Sequence, residues 1–164
     1  MTETEKKIRK DIVEHLGQVK IFWDMDGTCA SMEMHKLEEK LNPGFFDSKR
    51  PIKTILRVMK DCFELGAETY ILSFCSYYYQ KEDKIKWLNR YCEFISEDKR
   101  IIIPRRESDS RHIESKSVLK AEYLKDYISN EDIVYVVDDN EAVLLGIKAN
   151  LPQINIISPI DFID

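Results

Sequence analysis

Val19-Lys20-Ile21-Phe22-Trp23-Asp24-Met25-Asp26-Gly27-Thr28 climbs through apolar and aromatic residues to an aspartate, adds a second two positions later, and breaks at Gly-Thr. It reads as a buried β-strand that delivers two carboxylates at its C-terminal end. Unpaired buried charge is costly, so a divalent cation at this strand end would relieve the cost and bring chemistry with it. Two other readings fail. A calcium loop opening at Asp24 needs further oxygen ligands and a glutamate at its twelfth position, which here is His35. A hairpin turning at Asp26-Gly27 needs a strand to resume at once, and Cys29 to Met34 do not alternate.

Outward from this strand, helical and strand patterns alternate. An amphipathic helix over residues 4–16, with Ile8, Ile12, Val13 and Leu16 on one side, precedes the strand and stops at Gly17. Residues 29–50 are mixed, with a short helical pattern through Met34, Leu37 and Leu41 broken at Asn42-Pro43-Gly44. Further helices are expected over 52–65, 82–94, 118–128 and 142–149, and further strands over 69–74, 101–104, 133–137 and 154–157. Strands apolar on both faces and separated by helices imply an α/β fold: a three-layer, Rossmann-like parallel sheet with helices on both sides. In such a fold the C-terminal strand ends share one edge, where sites are built. That edge would gather Asp24, then Ser73-Phe74-Cys75-Ser76, then Asp138-Asp139-Asn140-Glu141.

Asp24-x-Asp26-Gly27-Thr28 closing a hydrophobic strand, Ser73 after Tyr70-Ile71-Leu72, a lysine before the fourth strand, and Asp138-Asp139 after Val134 to Val137 together resemble the four motifs of the haloacid dehalogenase (HAD) superfamily. The resemblance covers nearly the whole chain. It implies a phosphatase in which Asp24 is the nucleophile, Asp26 the general acid and base, and Ser73 and a lysine the stabilisers of the transferring phosphoryl group. It also implies Mg²⁺ held by Asp24, the Asp26 carbonyl, Asp138 and Asp139, with Gly27, Thr28 and Phe74 near the phosphate. An acid at position 26 favours phosphatases or phosphomutases over dehalogenase-type and ATPase-type members. Lys120 and Lys116 compete for the lysine role, and Lys120 is preferred because the helix following it matches the family pattern. A HAD-fold regulator that kept its motifs without catalysis is the alternative.

Length and composition narrow the rest. At 164 residues the chain has room for one domain, residues 1–164. A net charge of −5 argues against broad attraction to nucleic acid or an anionic membrane, without excluding a local basic patch. No run approaches the ~18 apolar residues of a membrane span, and the charged Met1 to Lys7 leads into no signal-peptide core. Cys29, Cys62, Cys75 and Cys92 form no Cys-x-x-Cys pair and read as small hydrophobes of a reducing, cytoplasmic protein.

Neither usual insertion point has room for a cap domain, since only 29–50 and about 105–117 are available. A capless member resembles enzymes acting on bulky phosphates, or ones whose lid comes from an oligomer partner; the chain itself would be a monomer or such a homo-oligomer. The loop carrying Arg105, Arg106 and Arg111 could hold a second anionic group. Tyr77-Tyr78-Tyr79 could stack on a base or pack between helix and sheet. The stretch from Arg106 to Asp139 is also similar to the phosphatase half of phage polynucleotide kinase/phosphatases, which makes nucleotide or polynucleotide phosphates candidate substrates.

Overall fold

Successive residues of the strands go to opposite faces of one sheet, and this alternation divides the core in two. The structure is a computed structural model that describes every residue except 33–36, 41, 77–78, 105–115 and 164, together with all but the side chain of Leu37. In chain order the elements are α1 (Glu3–Glu14), β1 (Val19–Trp23), α2 (Leu37–Lys40), α3 (Lys53–Glu64), β2 (Glu68–Phe74), α4 (Gln80–Tyr91), β3 (Arg100–Ile103), α5 (Lys116–Lys125), β4 (Ile133–Val137), α6 (Glu141–Asn150) and β5 (Asn155–Ile157). Ile21, Trp23, Ile71, Tyr135 and Val137 pack with the inner sides of α1, α3 and α4, while Phe22, Tyr70, Leu72, Val134 and Val136 pack with α5 and α6. This is the three-layer α/β arrangement expected from strands apolar on both faces.

All strands pair in parallel, in the order β3-β2-β1-β4-β5. The chain runs outward from β1 through β2 to β3, then returns to place β4 on the other side of β1. β1 and β4 therefore flank the point where the winding reverses, which opens a crevice at their carboxyl ends. The pairing runs one residue past each strand: the Asp24 N–H donates to the Val137 carbonyl at 2.9 Å and the Asp138 N–H to the Ile157 carbonyl at 3.2 Å. Both aspartates are thereby aimed by backbone bonds into that crevice.

Several helix limits differ from expectation for local reasons. α1 begins earlier because Thr2 and Glu5 form a capping box, and it ends at Glu14, before Gly17 turns the chain at φ +78°. α4 starts at Gln80 and ends at Tyr91, so Phe94 falls in the following turn, and α5 spans Lys116–Lys125 instead of 118–128. Short 3₁₀ turns at Glu97–Lys99 and Pro159–Phe162 had no clear periodic signature. The four cysteines are all buried as free thiols. Among the described residues, no helix is long and apolar enough to cross a membrane.

Candidate active site

The crevice holds a cavity of about 220 Å³, lined among others by Asp24, Asp26, Lys49, Phe74, Lys116, Lys120, Asp138 and Asp139. Four of these carboxylates and Lys120 were expected there. Asp24 and Asp138 are 7% and 2% exposed, and between them lies the 3%-exposed Lys120. Its ammonium donates to Asp24 Oδ1 at 2.7 Å and to Asp138 Oδ2 at 2.6 Å. Burial alone would favour loss of the Lys120 proton, but the two carboxylates outweigh it and raise the group above its ordinary value. Lys116 lines the same cavity, with its Nζ 5.7 Å from the centre of the Phe74 ring.

Oxygen atoms of Asp24, Asp138 and Asp139 lie within 4.8 Å of one another. Three hard donors converge here with, among the described residues, one ammonium bonded to them, and the charge imbalance shows in the titration of Asp24 and Asp139. Burial raises the Asp24 carboxyl, and the charge of Asp138 adds to this despite Lys120. Burial and the charges of Asp24 and Asp138 push Asp139 up to about 6. A small divalent cation that prefers oxygen ligands fits this donor set. Gly27 contributes by having no side chain: its φ is +75°, and a Cβ there would come within 2.3 Å of Asp139 Oδ2. The bare backbone leaves room for that carboxylate.

A pH dependence follows. Because its folded-state value lies above the ordinary 3.8, Asp139 takes up a proton in the folded chain at a pH where the unfolded chain stays ionised. Its contribution therefore favours the folded state increasingly as pH falls from about 7 to about 5, and is lost as pH rises through the folded value. In chelator, the melting temperature of the wild type should gain relative to Asp139→Asn over that interval. Added Mg²⁺ should abolish the difference in slope. Parallel profiles in chelator would contradict the charge imbalance.

Asp26 has different company. Its Oδ1 accepts from the Lys49 ammonium, and its Oδ2 accepts from that of Lys84 at 2.9 Å. Burial raises the Asp26 carboxyl, but the two cations win and hold it at about 2. Neither lysine stood out in the sequence. Lys84 did carry a signal: the inner face of α4 is Gln80, Asp83, Lys84, Trp87 and Leu88, a helical stripe with charges where apolar residues belong. Lys49 is brought in by the chain between β1 and α3. The Ser31 N–H donates to the Arg50 carbonyl and the Ile52 N–H to the Cys29 carbonyl, both at 2.8 Å, closing the base of that excursion. α4 then grips its far part: Asp83 accepts from the Gly44 N–H at 2.7 Å and the Trp87 indole donates to the Lys49 carbonyl at 2.9 Å.

The remaining expected residues divide. Phe74 lines the cavity, as does Ser76. Ser73 lies one residue before the end of β2 and is wholly buried, and its hydroxyl accepts from Lys84 at 2.8 Å. Thr28 is wholly buried as well, its hydroxyl meeting no hydrogen-bond partner among the described residues. Arg105, Arg106 and Arg111, and Tyr77 and Tyr78, lie outside the described residues. The third tyrosine, Tyr79, donates its hydroxyl proton to the Lys40 carbonyl.

No known protein family and no curated protein matches the sequence. Solved structures do match. A chain of the Pnkp1/Rnl/Hen1 complex superposes with a TM-score of 0.66 at 16% identity, over 88% of this chain and 46% of that one. The HAD domain of the effector protein Lem4 from Legionella pneumophila superposes with a TM-score of 0.51 at 17% identity, over 87% of each chain. This protein thus spans less than half of the first of these chains. At such identities the likeness is one of fold, and the fold is HAD-like.

Proposed function

We propose that the protein is a Mg²⁺-dependent phosphomonoester hydrolase, residues 1–164 forming one catalytic domain, in which Asp24 is the nucleophile. The observation that carries this reading is the placement of Asp24 at the end of β1, bonded to Lys120 and grouped with Asp138 and Asp139 around one cavity. Asp24, Asp138 and Asp139, with the Asp26 backbone carbonyl, would hold the cation, whose charge would offset the repulsion between a carboxylate and a phosphate dianion.

In the first half-reaction an Asp24 carboxylate oxygen attacks phosphorus, the bond to the leaving oxygen breaks with its electron pair, and an aspartyl-phosphate forms. Lys120 keeps Asp24 oriented and supplies positive charge beside the transferring group. In the second, water attacks that phosphorus, Asp26 takes its proton, and phosphate leaves while the Asp24 carboxylate is regenerated. An ionised Asp26 is in the right state for this second role. Acting as an acid toward the leaving oxygen requires it to carry a proton, which Lys49 and Lys84 oppose. Ser73 enters this reading through its bond to Lys84.

Asp26→Asn should slow p-nitrophenyl phosphate hydrolysis by roughly 10²–10⁴-fold, the range of general acid–base catalysis. Magnesium affinity should change much less, because the backbone carbonyl remains. Calorimetry showing a loss of metal binding as large as that of Asp138→Asn would contradict the assignment.

Lys40 and Lys116 also line the cavity of this net-acidic chain. They support a substrate with more negative charge than a single phosphate, such as a nucleotide or polynucleotide phosphate. Steady-state assays with and without Mg²⁺ on p-nitrophenyl phosphate, nucleotides and 3′- or 5′-phosphorylated oligonucleotides test both parts. Absence of turnover on every substrate would refute the hydrolase. Equal KM across the panel would refute the polyanionic substrate.

A further inference from the structure

Lys84 is a lysine with no exposed surface, and all three of its ammonium protons are used. They go to Asp26 Oδ2 at 2.9 Å, Ser73 Oγ at 2.8 Å and the Phe74 carbonyl at 3.0 Å. Burying an ammonium is expensive unless every donor is met, and a lysine on the inner stripe of a helix would normally be replaced by an apolar side chain. Here the cation ties the second carboxylate after β1 to the end of β2. Asp26 lies beyond the hydrogen-bonded part of β1, on a turn in which the Met25 carbonyl accepts from the N–H groups of Thr28, Cys29 and Ala30. Pairing of β1 with its neighbours therefore does not set the direction of its side chain.

The second cation on that carboxylate comes from a different part of the chain. Lys49 reaches Asp26 Oδ1 from the excursion between β1 and α3 and faces the cavity. Both ammonium groups rest over the buried Phe46 ring, Lys49 at 4.8 Å and Lys84 at 4.7 Å from its centre. The aromatic face is a favourable neighbour for each cation and separates neither from the carboxylate. Two lysines from distant parts of the chain thus hold one oxygen each.

The geometry points to Lys84 and Lys49 as the positioning residues of Asp26: together they fix its carboxylate at the cavity, Lys84 by anchoring it to β2 and Lys49 by closing over it from the excursion. This rests on the hydrolase reading above, and it goes beyond the residues that the HAD resemblance implies. It also gives the segment between β1 and α3, too short for a separate domain, a definite task. It carries one half of the clamp to the site.

A double-mutant cycle on p-nitrophenyl phosphate in Mg²⁺ tests it. Lys84→Met should lower kcat at least about tenfold while changing KM less than about twofold, since a group placed for the chemical step is lost and not a binding contact. The decisive comparison is in Asp26→Asn. If Lys84 works through Asp26, adding Lys84→Met there should cost almost nothing further. A merely structural lysine would impose the same loss in both backgrounds, and that result would overturn the proposal. Lys49→Met should give the same non-additivity, and it carries the test if Lys84→Met does not fold, as judged by circular dichroism. Lys84→Arg keeps the charge but not the three-point geometry, so it should recover stability more than kcat. A wild type without turnover on any phosphomonoester would refute the hydrolase reading and the clamp with it. An active wild type with additive losses would refute the clamp alone.

Discussion

Asp24→Asn is expected to eliminate phosphatase activity, by roughly 10⁴- to 10⁶-fold, the scale on which covalent catalysis fails when its nucleophile is removed. The amide has nearly the same shape and can still accept a hydrogen bond from Lys120, but it cannot attack phosphorus as an anion and offers the metal a weaker ligand. The fold should survive. Asp24 is a buried carboxylate whose titration is pushed upward, so in the absence of a cation its charge opposes folding. The melting temperature of Asp24→Asn in chelator should therefore equal or exceed that of the wild type, while magnesium affinity measured by calorimetry falls. Residual activity within about tenfold of wild type would remove Asp24 from the role of nucleophile.

Lys120→Met should produce the largest loss of stability. The Lys120 ammonium is the hydrogen-bonded cation of two carboxylates, themselves 7% and 2% exposed. Its removal leaves uncompensated buried charge, which typically costs about 3–5 kcal/mol. For a chain of this size that corresponds to a fall of roughly 10 °C in Tm. Activity should be lost as well, because the cation beside the transferring group goes with it. The deficit has a signature: adding Asp138→Asn, which removes one stranded carboxylate, should restore part of the stability. Urea denaturation of the two variants measures both effects. A single-variant loss below about 1 kcal/mol would mean that the carboxylates are neutralised in another way.

The strand-end carboxylates could be read directly from sequence, for a physical reason. Asp24 and Asp138 each follow an apolar run, and parallel strands flanking the winding reversal must bring their carboxyl ends together. Lys120 was accessible through the helix pattern after it, and the structure places it on both aspartates. The environment of Asp26 was not readable in the same way. Lys84 is hidden because apolar spacing alone marks a helix over 82–94, whereas the buried face of α4 includes Asp83 and Lys84. The polar positions within a helical stripe were the signal. Lys49 had no periodic pattern around it; its position depends on the Ser31–Arg50 bond, the Gly44–Asp83 bond and the Trp87–Lys49 bond, all of which join residues remote in sequence. Ser73 illustrates the converse. Its place near the end of β2 is legible, but its complete burial against Lys84 depends on the charged inner face of α4, which apolar spacing does not mark.

Covalent phosphorylation of Asp24 is the step on which every other role at the site depends. In Asp26→Asn, where water activation is impaired, the intermediate should accumulate during turnover of p-nitrophenyl phosphate in Mg²⁺. Acid quenching followed by peptide mass spectrometry should then find one phosphoryl group on the peptide containing Asp24, absent when substrate or Mg²⁺ is omitted and absent from Asp24→Asn. Rapid turnover by the wild type with no phosphoryl adduct in either protein, or an adduct that persists in Asp24→Asn, would contradict the account.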